Sequence, residues 1–264
     1  MLEIRNLYKV FNKNTVNENI IFNGLNLKVN KGDFITIIGS NGAGKSTLLN
    51  VISGTISPDD GNISLEGKKI SDLSEHKCSK FIGRVFQDPS KGTAPSMTIL
   101  ENMSMAYNKG KKFGLSFGID KKNIPYFKQL LSKLDLGLED KLNTKVGLLS
   151  GGQRQALTLI MTAMSEPKLL LLDEHTAALD PKTSEKIIEI TKEIVEEKNM
   201  TTLMITHNLN HAIKLGNRLI MLHEGEVILD VSGEEKKSLT MDKLLQFFEA
   251  NRDKDLLSDR ALFA

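Results

Sequence analysis

Residues 39–47 (Gly-Ser-Asn-Gly-Ala-Gly-Lys-Ser-Thr) have the spacing of a phosphate-binding loop, G-x-x-x-x-G-K-[ST]. The glycines let backbone N–H groups surround phosphate oxygens without side-chain clashes, and a following helix adds its dipole. Lys45 would reach the β- and γ-phosphates of a nucleotide, and Ser46 would hold Mg²⁺. We predict that every position of the loop contributes: Gly39, Ser40, Asn41, Gly42, Ala43, Gly44, Lys45, Ser46 and Thr47.

A second candidate for chemistry is the pair of acids that follows four leucines at 169–172. Ligands of α/β proteins gather at the carboxyl ends of strands. Asp173 would orient Mg²⁺ through its water shell, and Glu174 would polarise the attacking water as a general base. A buried strand often ends in acids simply because it reaches a loop. The interpretation therefore depends on the phosphate-binding pattern at 39–47.

A third candidate is the segment 149–153, Leu-Ser-Gly-Gly-Gln, which leads directly into a predicted helix. Ser150, Gly151 and Gly152 at a helix start form another anion site. A capped helix after a loop would ordinarily explain these residues. Two phosphate-type sites in one chain make sense if each nucleotide is clamped between the loop of one subunit and the serine–glycine site of another.

The elements that position these residues follow from hydrophobic periodicity. Residues 34–38 form a continuous apolar run, typical of a strand covered on both faces, and residues 45–53 then have helical spacing with Gly54 as the stop. Asp180 and Pro181 suit the start of a helix over 182–198. Further strands are predicted near residues 2–4, 25–29 and 63–65 and over 168–172, 201–206, 218–222 and 226–231, with a hairpin turn at 224–225.

The region from about 88 to 165 lacks strand-like alternation and contains helical stretches at 126–134 and 153–164. We therefore predict an α/β fold: a phosphate-loop nucleotide-binding core, an antiparallel β subdomain and an inserted helical subdomain. Residues 1–232 would form one domain, with the core at about 1–87 and 166–232. Residues 233–264 would form a short tail whose apolar cluster at 244–248 docks on the core as a helix.

Composition narrows the class of protein. Lys plus Arg number 35 and Asp plus Glu number 33, so the net charge of +2 argues against nucleic acid as a partner. The one cysteine, Cys78, cannot form an internal disulfide, which favours the cytosol. Apolar runs are far shorter than the about 20 residues of a spanning helix. If the protein works at a membrane, another polypeptide must hold it there.

The motifs together resemble those of the ATP-binding cassette (ABC) family, whose L-S-G-G-Q signature matches 149–153 letter for letter. The resemblance covers about residues 1–232 and makes the predicted core an ABC ATPase core. It implies a role for four further residues. Gln87 would contact Mg²⁺ and sense a permease, Asp180 would lie in a loop at the dimer interface, His207 would contact the γ-phosphate, and Phe11 would stack on adenine.

The resemblance also implies how such a chain works. ATP and Mg²⁺ would be its cofactors. Two copies would form a head-to-tail homodimer in which Ser150, Gly151, Gly152 and Gln153 act in trans, and Lys45, Glu174 and His207 would be catalytic. The homodimer would drive an integral membrane permease from the cytoplasmic face of the cell membrane, together with an extracytoplasmic substrate-binding lipoprotein.

Residues 174–181 and 92–95 resemble a cluster of bacterial uptake systems described as importers of tryptophan, tyrosine or other amino acids. Three alternatives stay open: an exporter or lipoprotein-release subunit, a cytosolic ABC ATPase such as an iron–sulfur assembly scaffold, and a DNA-maintenance ATPase. The last needs a long coiled coil between the phosphate loop and the signature, and this sequence shows no sustained heptads there.

Two local features have competing explanations. The family usually places Pro or Ala after the glutamate, and His175 here either tunes Glu174 or is a neutral substitution. A basic stretch is either a solvated face or a contact for anionic lipid beside a permease; its members are Lys109, Lys111, Lys112, Lys121, Lys122 and Lys128. His76, His211 and His223 show no metal-ligand spacing and are expected to be surface or core residues.

Overall fold

The computed structural model of the protein describes residues 1–111 and 118–250. The strands are, in chain order, β1 (Leu2–Phe11), β2 (Asn19–Val29), β3 (Phe34–Gly39), β4 (Asp60–Leu65), β5 (Lys68–Lys69), β6 (Ile82–Val85), β7 (Leu169–Asp173), β8 (Thr202–Ile205), β9 (Arg218–His223) and β10 (Glu226–Ser232). The helices are α1 (Lys45–Ile52), α2 (Glu75–Cys78), α3 (Ile99–Tyr107), α4 (Ile124–Ser132), α5 (Gly151–Met164), α6 (Pro181–Glu197), α7 (Leu209–Lys214), α8 (Gly233–Lys237) and α9 (Met241–Ala250).

The chain divides into two compact units. The first contains residues 1–79 and the chain from residue 200 onward, and the second contains residues 80–199. The predicted boundaries of the nucleotide-binding core and of the helical subdomain stay a prediction.

The first unit contains an antiparallel sheet with the strand order β2-β1-β4-β5. Leu2 and Ile4 of β1 pair with Val29 and Leu27 of β2, and all four side chains are buried. Their period-two spacing places them on one face, as the alternation in the sequence predicted.

A second set of strands in this unit surrounds β3, which is buried along its whole length. β8 and β9 pair with it in parallel, one on each side, and β10 pairs with β9 in antiparallel orientation. Glu224 and Gly225 join β9 to β10 with φ values of 43° and 77°, the left-handed geometry of a tight hairpin turn. The predicted turn is confirmed.

The end of the described chain packs onto this unit. α9 buries Leu244 completely, in one cluster with Ile38 of β3 and Met221 of β9. Leu245 and Phe248 pack against the same cluster. The expectation that the apolar cluster at 244–248 docks as a helix is confirmed, whereas residues 251–264 of the predicted tail lie outside the described residues.

The second unit pairs β6 with β7 in parallel and is otherwise mainly helical. α5 is buried along most of its length and packs against α3, α4 and α6. α6 buries Ile187, Ile190, Ile194 and Val195, the positions that the helical spacing predicted. The short strand β6 was not predicted. The predicted α/β class, which combines parallel strands, an antiparallel sheet and a helical middle, is confirmed.

Candidate functional site

The phosphate-binding pattern forms a loop between β3 and α1 whose glycines are required by the backbone. Gly39 has a φ of 151°, and a Cβ there would lie 2.1 Å from the carbonyl oxygen of Leu222. Gly44, the N-cap of α1, has a φ of 95°, and its Cβ would lie 2.9 Å from a ring carbon of Phe22. Because glycine has no side chain, no side-chain cap closes the start of α1, which stays a favourable place for an anion.

Lys45, the first residue of α1 after this loop, is buried. Its ammonium donates hydrogen bonds to the carbonyl oxygens of Gly39 at 2.7 Å and of Ser40 at 2.8 Å. The loop thus holds a positive charge against its own backbone, ready for charge-assisted bonds to phosphate oxygens. Ser46 follows in the first turn of α1 and is exposed.

His207 lies at the same edge of the sheet as this loop. Ile37 of β3 pairs with Ile205 of β8, so Gly39 and His207 each stand two residues beyond a paired position on adjacent parallel strands. His207 is half-buried, and the neighbouring Thr206 donates its backbone N–H to the carbonyl oxygen of Ile37 at 3.3 Å. The first unit therefore brings the phosphate loop and His207 to one sheet edge.

Phe11, the predicted adenine contact, ends β1 opposite Asn19 of β2. Its ring is half-buried, and the ammonium of Lys9 lies 5.4 Å from the ring centroid. Lys9 in turn forms an ion pair with Asp59 at 3.0 Å. Phe11 thus lies at the end of the β1–β2 hairpin, beside the ammonium of Lys9.

In the second unit, three predicted residues stand at or just beyond the carboxyl ends of β6 and β7. Val85 pairs with Leu172, so Gln87 and Glu174 each stand two residues beyond the paired position, next to Asp173. Gln87 is exposed, while Asp173 and Glu174 are half-buried. Oxygen-bearing side chains from two adjacent strands are therefore collected at one edge, as the sequence predicted for Asp173 and Glu174.

Asp173 has an ion-pair partner that the sequence did not predict. Arg84 of β6 donates from Nη2 to Oδ2 of Asp173 at 2.6 Å, and its guanidinium lies 4.7 Å from the ring centroid of Phe86. The ion pair joins side chains that are 10% and 13% exposed. An arginine next to the V-F-Q motif was the available signal, but its partner depends on the pairing of β6 with β7.

The turn after Asp173 has an unusual backbone. Glu174 has a φ of 47°, in the left-handed region that non-glycine residues rarely occupy. The N–H of Ala177 donates to the carbonyl oxygen of Glu174 at 3.0 Å. His175 is buried, and its Nε2 lies 2.9 Å from Oγ1 of Thr191 on α6. Backbone strain of this kind concentrates at functional sites.

Residues 150–153 begin α5 with a reciprocal cap. Ser150 Oγ accepts from the N–H of Gln153 at 3.2 Å, and Gln153 Oε1 accepts from the N–H of Ser150 at 3.2 Å. The first bond uses the serine oxygen as an acceptor, so the hydroxyl proton can still be donated to a phosphate oxygen. Gly151 is exposed and Gly152 is buried.

Gly152 also lies against the first turn of α6. A Cβ at Gly152 would lie 2.2 Å from Cγ2 of Thr183, closer than any real contact. Asp180 caps that same turn, accepting from the N–H of Thr183 at 3.1 Å. The pKa of Asp180 is lowered, first because the Thr183 hydroxyl hydrogen-bonds its carboxylate and then because the Thr183 N–H does so. The signature glycines and the predicted interface loop are thus neighbours within one unit.

The other predicted features lie outside these sites. The five described lysines of the basic stretch are exposed, which fits a solvated face, and Lys112 lies outside the described residues. Among the described residues, no cluster of three or more His, Cys, Asp or Glu side chains could hold a metal. Nor does any helix in this part of the chain combine the length and hydropathy that a membrane crossing requires.

The sequence matches a family model and is similar to several curated proteins. A family model described as ABC transporter matches residues 22–177. The tyrosine transport ATP-binding protein of Clostridioides difficile is 53% identical over 249 residues, which cover 94% of this chain and 99% of that protein. The methionine import ATP-binding protein of Clostridium tetani is 34% identical, over 93% of this chain and 76% of that protein.

Solved structures of ATP-binding cassettes are also similar to this chain. A dimeric, post-hydrolysis ATP-binding cassette, MJ0796 bound to ADP and Pi, superposes with a TM-score of 0.75 at 31% identity, covering 88% of this chain and 98% of that one. The ADP conformation of the cassette MJ1267 gives a TM-score of 0.75 at 28% identity, covering 94% and 98%. A protein named MJ0796 from Methanocaldococcus jannaschii is also 34% identical in sequence.

Proposed function

The chain belongs to the ABC transporter family and is an ABC ATPase, and from that premise we propose that it powers bacterial import of an amino acid or a related small solute. The observation that carries the proposal is the 53% identity to a tyrosine transport ATP-binding protein along almost the full length of both chains. The fold and the arrangement of the phosphate loop support the ATPase part of the proposal independently.

In the first unit, the loop at 39–47 would bind the phosphates of ATP. Lys45 would exchange its bonds to the carbonyl oxygens of Gly39 and Ser40 for bonds to the β- and γ-phosphates, while Phe11 stacks on adenine. His207, at the same sheet edge, would contact the γ-phosphate.

In the second unit, Glu174 would be the general base that takes a proton from the attacking water. Gln87 and Asp173 of this unit are proposed as oxygen donors to Mg²⁺, and Ser46 is proposed as an oxygen donor in the first unit. Donors of this kind fit the ion, because Mg²⁺ at nucleotide sites keeps several waters and uses one or two carboxylates plus phosphate oxygens. When bound, Mg²⁺ would neutralise charge that develops on the phosphates.

The signature residues would act across a homodimer. Ser150 would donate its hydroxyl proton to the γ-phosphate bound by the partner subunit, with Gly151, Gly152 and Gln153 forming the helix start. Asp180 would lie at the seam between the subunits. The solved cassette MJ0796 is dimeric, which supports two copies as the working form.

The coupling partners follow from the import proposal. ATP-driven closure of the homodimer would move an integral membrane permease, and hydrolysis would reopen it. The ATPase would then work at the cytoplasmic face of the membrane. A substrate-binding lipoprotein on the other side would deliver the solute to the permease.

The test combines an enzyme assay with an uptake assay. Purified protein should hydrolyse ATP with a requirement for Mg²⁺, and cells lacking the gene should lose uptake of radiolabelled tyrosine or another amino acid. Wild-type complementation should restore uptake, whereas Glu174→Gln should not. Normal uptake of all amino acids in the deleted strain, with loss of solute export instead, would overturn the import proposal and leave the ATPase assignment intact.

A further inference from the structure

His175 is anchored where the ABC family usually has proline or alanine. Its side chain is 1% exposed, and its Nε2 lies 2.9 Å from Oγ1 of Thr191. Thr191 is fully buried in α6. A buried imidazole beside a proposed general base is a costly group to place, and its Nε2 is satisfied by the bond to Thr191.

The direction of the bond follows from proton counting. The Thr191 hydroxyl has one proton, and it donates that proton to the carbonyl oxygen of Ile187 at 2.7 Å. The ring nitrogen must therefore be the donor, so His175 carries a proton on Nε2. The result is a chain of two bonds that runs from the imidazole through Thr191 to the backbone of α6.

The backbone next to this anchor is strained. Glu174 has a φ of 47°, a backbone conformation that is unfavourable for an L-residue, so the surrounding structure must hold it in place. The N–H of Ala177 donates to the carbonyl oxygen of Glu174 across this turn. The anchored ring of His175 is attached to the very next Cα. Releasing it would free the turn to relax and move the carboxylate.

We propose that His175 is a positioning residue for Glu174: through Thr191 it fastens the turn that aims the general base. The inference rests on the proposed role of Glu174 in ATP hydrolysis. His175 does not touch substrate in this scheme. It acts through the backbone, and small misplacements of a catalytic group have large effects on rate.

The experiment compares variants on both sides of the bond in the full-length ATPase. His175→Ala removes the donor and Thr191→Val removes the acceptor with little change of shape, whereas Thr191→Ser keeps the hydroxyl and is the matched control. A neutral hydrogen bond contributes about 0.5–1.5 kcal/mol, so kcat should fall about 2- to 10-fold in the first two variants. The KM for ATP and the binding of a non-hydrolysable ATP analogue should be unchanged.

The double variant His175→Ala/Thr191→Val should lose no more kcat than either single variant, because both remove the same bond. Thr191→Ser should keep the wild-type kcat. A purely structural role would lower the melting temperature while leaving kcat per folded molecule unchanged, and that outcome would overturn the proposal. The variant Glu174→Gln distinguishes failure of the general-base assignment from failure of the positioning inference. If that variant still turns over, the general-base assignment fails; if it is inactive while His175→Ala is fully active, this inference alone fails.

Discussion

Arg84 and Asp173 form an ion pair at 2.6 Å between the adjacent strands β6 and β7, with both side chains nearly buried. The carboxylate proposed to orient Mg²⁺ is therefore held by a cation from the neighbouring strand. The guanidinium is itself stacked over Phe86, just before Gln87. One arginine thus contacts one proposed metal ligand, Asp173, and the aromatic residue that precedes another, Gln87.

Removing this cation should destabilise the fold. Arg84→Met leaves the half-buried Asp173 carboxylate without its ion-pair partner, and we expect the free energy of unfolding to fall by about 2 kcal/mol. Urea denaturation followed by circular dichroism measures it. The double variant Arg84→Met/Asp173→Asn should recover part of the loss, since no charge is then buried without a cation. A double variant less stable than Arg84→Met would contradict this account.

Glu174→Gln should lower kcat for ATP hydrolysis by about 10²- to 10⁴-fold, because the general base is lost, while ATP binding is retained. An ATP-bound dimer should accumulate, which gel filtration with and without ATP would show. Turnover at the wild-type rate would refute the assignment of Glu174.

Ser150→Arg tests whether the signature residues act in trans. The variant monomer should bind ATP normally, since the added cation would lie at the dimer seam. In a mixed dimer with Lys45→Ala, one nucleotide site carries both changes and the other carries none. Such a dimer should recover up to about half of the two-site ATPase rate, and less if the sites are coupled.

The structure supplies a control for that experiment. Ser150 Oγ also caps α5 by accepting from Gln153, so Ser150→Arg removes a cap worth about 1 kcal/mol. Ser150→Ala loses the same cap without adding a cation, and comparing the two isolates the effect of the arginine. If Ser150→Arg abolished ATP binding to monomers while Ser150→Ala did not, the site would belong to the same chain's nucleotide.

Gly152→Ala should be destabilising for a reason that lies in α6. Its Cβ would overlap Cγ2 of Thr183, and overpacking of this kind costs about 1–3 kcal/mol. Thr183→Ser deletes that methyl group and keeps the hydroxyl that bonds Asp180. The double variant should therefore regain stability, as measured by thermal unfolding, while Thr183→Ser alone stays close to wild type. An unrescued double variant would show that the methyl contact is not the cause.

Lys236 predicts a pH dependence of stability. It is 3% exposed, donates to the carbonyl oxygens of Leu215 and Gly216, and burial lowers its pKa from 10.5 to about 8. Between these two pKa values the unfolded chain binds more protons at Lys236 than the folded chain does. This group therefore makes the free energy of unfolding rise with pH, by up to about 1.4 kcal/mol per pH unit. Below about pH 8 both states are charged and its contribution is constant.

The check is the unfolding free energy of wild type minus that of Lys236→Met, measured at about pH 7, 9 and 10. The difference should increase from the first value to the last. Lys237→Met, at the exposed neighbouring position, is the matched control for removing a lysine from α8. A flat difference for Lys236→Met would show that its pKa is not lowered.

The sequence predicted those features of the fold whose residues lie close together along the chain. The phosphate loop and the helix over 181–197 are defined by spacings of a few residues. The predicted bounds of both lie within one or two positions of the observed ones. β6 was missed because Gly83 and Arg84 interrupt a strand of four residues. The bond from Arg84 to Asp173 spans 89 positions and exists only through strand pairing. Lys236 lies in the predicted tail, and its burial depends on packing that the sequence does not show.

The burial of Leu244 beside Ile38 has a consequence for genetics. Ile38 immediately precedes the phosphate loop, and Leu244 belongs to the same apolar cluster although it lies about two hundred codons later. A nonsense or frameshift mutation just upstream of codon 241 would spare every sequence motif of the ATPase. It would nevertheless remove a core side chain that packs against the strand leading into the phosphate loop. Such alleles should therefore be scored as loss of function.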